Sequence, residues 1–493
     1  ESILINTQEI VNADGGTLFV VTDRKTLRFS IVINKTLGIH WDGLGSAPIP
    51  FPELPLEVDG QPNHNAIAAH CAIDKKSIHI RDAYLETGFD FSGAKAFDEK
   101  MGYRTQSVLA IPLINHQNKV LAVLQLVNAK NAQGQTIEFG DFLQKLAESL
   151  ASQASIAMQN RLLINQLEQL FEGLTQLIST AIDQKSPHTA GHCLRVPELT
   201  LMLAEAAHRE TEGPLADFLM TEKDRYELKI ASMLHDCGKI TTPVHVVDKA
   251  TKLETIFDRI ELVEARFENA HQAIDRQAMS EQLTAPHDAQ VIKDRALKAH
   301  ETLKNDLSFL KIANIGSERM RSEDIERIKN IATRTWTHSS GEERPLLTKN
   351  EVANLTIVAG TLTDDERQII NHHIVSTITL LKQLPWPDHL LQVTEFAGGH
   401  HEHMDGKGYP NGLTKEQMSV QARVMGIADI FEALTASDRP YKKAMPLSQG
   451  IAIMQRMKET QHIDPDLFDV FIKHGIHKEY ARKYLSPEQI DVD

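Results

Sequence analysis

The chain has 493 residues, of which 41% are hydrophobic and 24% charged, proportions of a soluble globular protein with two or three domains. Its formal net charge of −15 excludes a general nucleic-acid surface, because a polyanion is met by basic patches. A small anionic ligand held by metals and a few local cations stays open.

The cysteines Cys71, Cys193 and Cys237 are odd in number and far apart, which suits a reducing cytoplasm better than a disulfide framework. The longest apolar runs are too short to span a bilayer and read as strands. The first residue is Glu1 and not methionine, so the chain is expected to be a fragment, and an upstream membrane segment is not excluded. Fifteen of the 23 histidines fall between His188 and His403, the stretch in which metal-like clusters lie.

Residues 1–140 read as mixed α and β. The β-branched runs 17–22 and 27–33, split by 23–26, predict a hairpin, with Asp14-Gly15-Gly16 as a turn before it. Residues 107–114 and 119–127 predict a second strand pair. The Pro-, Gly- and Asp-rich stretch 39–99 predicts loops and short helices around a pocket. These features resemble a GAF domain, on Ala13-Asp14-Gly15-Gly16-Thr17-Leu18-Phe19-Val20-Val21, Ser107-Val108-Leu109-Ala110-Ile111-Pro112-Leu113 and Val120-Leu121-Ala122-Val123-Leu124-Gln125-Leu126-Val127-Asn128. Cyclic-nucleotide-binding members carry an Asn-Lys…Phe…Asp pattern, matched only loosely by Asn128, Lys130, Phe139 and Asp141. The resemblance therefore implies a sensor or dimerisation domain with an unknown ligand.

Residues 141–181 predict one long helix. Leu163, Leu167, Leu170, Leu174, Leu177 and Ala181 recur at alternating spacings of four and three, a heptad seam. The seam predicts a parallel coiled-coil connector, and hence a homodimer that links sensor to output. Residues 182–485 predict an all-α domain interrupted by a charged insert, 271–360, read as a helical hairpin. The stripe Ile256, Ile260, Val263, Phe267 predicts a helix entering that insert.

The helical region concentrates imidazoles and carboxylates in apolar surroundings. His192 follows a helix-start pattern. His235 and Asp236 are expected side by side within an apolar helix with Ile230-Ala231-Ser232-Met233-Leu234, and Lys239, three residues after Asp236, shares its helix face. His372 and His373 precede another apolar run, His400 and His401 adjoin, and Asp429 sits inside Ile427-Ala428-Asp429-Ile430-Phe431. A buried, unpaired carboxylate is costly, so each Asp demands a partner. One lone His-Asp pair is usually structural; six or seven such positions in one domain point to a divalent-metal centre for phosphoester chemistry.

The region resembles the HD-GYP family, metal-dependent phosphohydrolases that hydrolyse cyclic di-GMP. The resemblance rests on His188-Thr189-Ala190-Gly191-His192, His235-Asp236-Cys237-Gly238-Lys239, His400-His401-Glu402…Asp405-Gly406-Lys407-Gly408-Tyr409-Pro410 and Ala428-Asp429-Ile430-Phe431-Glu432…Asp438-Arg439-Pro440-Tyr441-Lys442. It implies metal ligands at His192, His235, Asp236, His373, His400, His401 and Asp429, with Asp236 bridging and His373 preferred to His372 by spacing. It implies a catalytic role for Asp236 and Lys239, and substrate contacts at Lys239, Tyr409, Arg439 and Lys442. Some members hold a third metal with a carboxylate four residues before the first histidine ligand. Here that position is His188, so two or three divalent ions are expected, Fe or Mn first, with Ni or Zn as alternatives. The implied function is a GAF-regulated cyclic di-GMP phosphodiesterase giving pGpG or GMP. Cyclic GMP-AMP as substrate, or an inactive cyclic-dinucleotide-binding module, are the alternatives.

Overall fold

In the computed structural model, which describes residues 2–42, 49–185, 191–316, 319–338, 340–436 and 445–492, the β-branched runs near the N-terminus form one antiparallel sheet. Its central order is Ile39–Trp41, Thr26–Asn34, Ala13–Val21, Val120–Lys130, Val108–Ile114, Ile78–Ile80. The strands alternate in the faces they bury, as a period of two requires. Leu109, Ile111 and Leu113 pack with Leu4 of the helix Ser2–Ile10 and with Ala147, Ala151 and Ala154. Val108 and Ala110 point the other way, into a core shared with the helix Ile67–Asp74.

The predicted turn at Asp14-Gly15-Gly16 is instead part of the strand Ala13–Val21. Both glycines are there for proximity. A Cβ on Gly15 would sit 2.8 Å from Val127, and one on Gly16 would sit 2.6 Å from Leu4. Residues of the stretch 39–99 wall a cavity of about 370 Å³ above the sheet, lined by Phe19, Phe29, Phe51, Phe97 and Tyr103 among others. The four positions that loosely match the cyclic-nucleotide pattern do not line it. Phe139 is core, Lys130 pairs with the buried Asp14, and Asn128 braces the backbone of Gln106 and Ser107.

The chain divides into two compact units, Glu1–Leu170 and Phe171–Asp493. The helix Asp141–Lys185 is continuous, and its seam leucines Leu163, Leu167, Leu170, Leu174 and Leu177 are exposed along the single chain. In the second unit, helices including His192–His208, Glu222–Leu234, Val420–Thr435 and Pro465–Lys473 enclose one core that contains Leu199, Leu228, Phe431, Phe468 and Tyr480.

The insert is more than the expected hairpin. Two long helices, Ile260–Thr284 and Ala289–Asn314, are followed by the helix Ser322–Ala332, a two-stranded ribbon and the helix Lys349–Leu355. They share a separate core with Leu253, Phe267, Leu310, Ile328 and Leu347. Ile256 of the predicted stripe lies before the first helix and is 96% exposed, because the helix begins only at Ile260.

Candidate metal centre

The amphipathic helix Glu222–Leu234 ends immediately before His235, and a 3₁₀ turn, Cys237–Thr241, follows. Asp236 therefore stands at the junction between two elements and not within the helix, as the sequence suggested. The tighter 3₁₀ winding sets positions i and i+3 over one another. Lys239 Nζ accordingly donates to Asp236 Oδ2 at 2.6 Å. Gly238 makes the turn fit: a Cβ there would lie 1.9 Å from the carbonyl oxygen of His373. Its amide donates to Thr377 Oγ1, and Thr377 in turn donates to the carbonyl of His235.

Each central imidazole is anchored by one nitrogen. His235 Nδ1 lies 2.7 Å from the carbonyl of Ser232, His373 Nδ1 2.5 Å from that of Ile370, and His400 Nδ1 2.7 Å from that of Ala397. A carbonyl only accepts, so Nδ1 carries the proton and the Nε2 lone pair faces inward. His192 Nδ1 meets the carboxylate of Glu432 at 2.5 Å, and Arg195 Nε donates to the same carboxylate at 2.7 Å. Holding the distal nitrogen in this way is how proteins aim imidazoles at metals.

The inward nitrogens converge on the two aspartates. His373 Nε2 lies 3.2 Å from Asp236 Oδ1, whereas His192 and His235 lie 3.4 and 3.3 Å from Asp236 Oδ2. Asp429 Oδ1 lies 3.2 Å from His192 and 3.7 Å from His235. Donor atoms within 4.8 Å of one another form the sets His192–His235–Asp429, His235–Asp236–His400 and His373–His400–His401. Asp236 thus turns one oxygen to each side of a two-poled cluster. His372 is exposed while His373 is buried, so of the adjacent pair only His373 faces the cluster.

The residues fit divalent ions on their own chemistry. Nε2 of His192, His235 and His400 is buried with no hydrogen-bond partner, although carboxylate oxygens lie near the first two. Orphaned buried acceptors of this kind are rare unless a ligand fills them. The charges agree. Burial works against ionising Asp236, but the Lys239 ammonium outweighs it and holds the carboxyl well below its usual range. Burial similarly opposes a charge on Lys239, yet Asp236 and Asp429 keep it cationic. Burial drives the His401 pKa down to about 4, so that imidazole is neutral and free to ligate.

Tyr409 stacks on His401 with ring centroids 4.8 Å apart. Both border a cavity of about 300 Å³ that opens on Asp429 and is walled by His403, His462 and Leu434. Glu402 fixes the loop beneath by accepting from the amides of Asn411 and Leu413. Gly408 lets that loop fold over Glu402, since a Cβ would fall 2.5 Å from the Cα of Glu402. His188, Arg439 and Lys442, expected at this site, lie outside the described residues. Glu432 and Thr377 are partners that the sequence reading missed. Glu432 was readable by the rule that singled out Asp429, a carboxylate in an apolar run; Thr377 carries no such signal.

A sheet unit followed by a helical unit with a His/Asp cluster is similar to a GAF domain followed by an HD domain. Comparison with known families agrees: residues 1–158 match the GAF domain, and residues 189–314 and 349–467 match two HD domain families. The 3'3'-cGAMP-specific phosphodiesterase 3 of Vibrio cholerae is 38% identical over 22% of this chain and 23% of that protein. A cyclic di-GMP phosphodiesterase of Pseudomonas aeruginosa is 38% identical over 23% of this chain and 26% of that protein. A cyclic di-GMP phosphodiesterase of Thermotoga maritima is 31% identical over 27% of this chain and 34% of that protein. The chain thus spans a third or less of the length of the first two of these relatives and 34% of the third. No helix among the described residues is long and apolar enough to cross a membrane.

Proposed function

We propose that this chain is a metal-dependent phosphodiesterase that opens the ring of a cyclic dinucleotide, cyclic di-GMP first. The observation that carries the reading is the two-poled cluster with its orphaned imidazole nitrogens on both sides of Asp236. His192, His235 and Asp429 would hold one ion, His373, His400 and His401 the other, and Asp236 would touch both. When bound, the two divalent ions would neutralise the phosphate and ease ionisation of the attacking water. Mixed imidazole and carboxylate donors suit Fe, Mn, Ni or Zn better than Mg or Ca.

The protein's own groups do the rest. Lys239 is cationic beside Asp236 and places positive charge where the phosphate oxygens gain negative charge. It also stands where a proton can pass to the departing ribose oxygen. Tyr409 offers a ring face and a hydroxyl at the rim of the adjoining cavity, whose volume suits part of a nucleotide. Arg439 and Lys442 would meet the second phosphate, and His188 would serve a third ion or line the cleft. The GAF unit would regulate turnover across a homodimeric helix pair.

A relative named for cyclic GMP-AMP supports that dinucleotide as a second substrate, because the ligand set does not distinguish the bases. The test is turnover of metal-loaded chain on cyclic di-GMP, 3'3'-cyclic GMP-AMP and cyclic di-AMP, with linear products separated by chromatography. Ring opening of at least one, abolished by chelation, is expected. Stable substrates with a fully loaded protein would leave only a binding module.

A further inference from the structure

The first unit carries a second group of metal donors. His64, in the loop before the helix Ile67–Asp74, and His70 and Asp74 on that helix bring one donor atom each within 4.8 Å of one another. His70 and Asp74 stand four apart, the spacing that places two side chains on one helix face. His70 Nε2 lies 3.2 Å from Asp74 Oδ2, and His64 Nδ1 lies 3.8 Å from Asp74 Oδ1. The two oxygens of one carboxylate are therefore divided between two imidazoles. His70 is aimed as a ligand is aimed: its Nδ1 lies 3.2 Å from the carbonyl of His64, which fixes the proton there and leaves Nε2 as donor. The Phe89 ring meets His70 edge-on at 5.3 Å and limits its rotation.

The loop that brings His64 is itself held. Asn63 N donates to Leu56 O at 2.8 Å, and Asn63 Nδ2 donates to Pro55 O at 2.8 Å. The carbonyl of Asn65 accepts from the amide of Asp90 at 2.8 Å. Asp74 ends its helix, where the partial negative charge of the free carbonyls favours a cation, and His70 stands one turn earlier on the same face.

We propose that His64, His70 and Asp74 form a separate site for one zinc-like divalent transition ion. Two imidazoles and one carboxylate suit Zn or Ni and reject Mg and Ca, which seek oxygen donors. Three protein donors leave a fourth position to solvent. The ion joins the loop at residue 64 to the helix whose Ile67 and Ala68 wall the apolar cavity. The site belongs to the sheet unit and uses none of the residues assigned to phosphodiester cleavage.

The test uses the full chain, stripped by chelator and brought to equilibrium by dialysis against zinc. Wild type is compared with Asp74→Asn and His70→Gln, exposed or half-exposed near-isosteric changes whose fold is checked by circular dichroism. Wild type is expected to bind one zinc per chain more than either variant, or to bind that zinc at least about tenfold more tightly. Turnover of the catalytic region in the variants stays at the wild-type level. Identical zinc isotherms for all three proteins overturn the proposal, as does a site filled by magnesium as tightly as by zinc.

Discussion

Asp236 and Lys239 form an ion pair at 2.6 Å, yet the two residues do different work. The carboxylate faces imidazoles on both sides; the lysine contributes charge without being a metal donor. Lys239→Met is therefore expected to lower kcat by about 10²–10³, the size of effect seen when one stabilising donor is lost, with metal content retained. Parallel loss of metal and activity, measured by elemental analysis beside turnover, contradicts that separation.

Glu432 acts one step further out. It holds His192 Nδ1 and Arg195, so Glu432→Gln keeps the shape and removes the charge. Metal affinity in a chelator competition is expected to fall about 10–100-fold. Unchanged affinity would make Glu432 a packing residue.

A buried lysine that precedes the insert and bonds to its last residues gives a pH signature of its own. Lys252 donates to the carbonyls of Leu355 and Ile357, and burial pulls its pKa from 10.5 down to about 8. The unfolded chain keeps that proton up to about pH 10.4. Between about pH 8 and 10 the unfolded state thus binds more protons, and stability rises with pH; below pH 8 this contribution is flat. Urea unfolding at pH 7.5 and 9.5 should show the rise, and Lys252→Met should remove it. A rise that survives the substitution assigns it elsewhere.

At the scale of elements, the helix Asp141–Lys185 poses the clearest question. Between residues 161 and 170 every position is exposed, including Leu163, Leu167 and Leu170. A helix of this length gains most of its stability from burying a stripe, which this stretch does not do within one chain. A parallel pair would bury it. Leu170→Ser with Leu174→Ser is expected to weaken self-association in sedimentation by tenfold or more, while the fold of the single chain stays intact. Equal association of variant and wild type contradicts the coiled-coil reading.

The periodic stretches were readable because period determines what a face buries. The paired β runs 107–114 and 119–127 became adjacent strands, and the heptad stretch became one helix. Asp14-Gly15-Gly16 misled because glycine serves close approach as well as turns; Val127, far away in sequence, and Leu4, on the preceding helix, decide which. The insert misled for a related reason. Its separate core unites Leu253 with Leu347 and Leu355, contacts that no local pattern reveals.

For the whole molecule, the candidate site was legible at its donors and illegible at its supports. Adjacent histidines and aspartates in apolar runs stand out against their surroundings, so His235, Asp236, His400, His401 and Asp429 declared themselves. The anchoring carbonyls of Ser232, Ile370 and Ala397 are backbone atoms with no sequence mark. The separate group His64, His70 and Asp74 was passed over because an exposed histidine with an Asp four residues on is commonplace until a loop brings a third donor.

The central claim is that two ions sit on either side of Asp236 and are needed for ring opening. Anomalous diffraction from manganese-loaded crystals of the full chain tests it most directly. The account predicts two peaks about 3.5–4 Å apart, one beside His192, His235 and Asp429 and one beside His373, His400 and His401, with Asp236 touching both. A single peak, or none at saturating manganese in protein that still cleaves the dinucleotide, would contradict it.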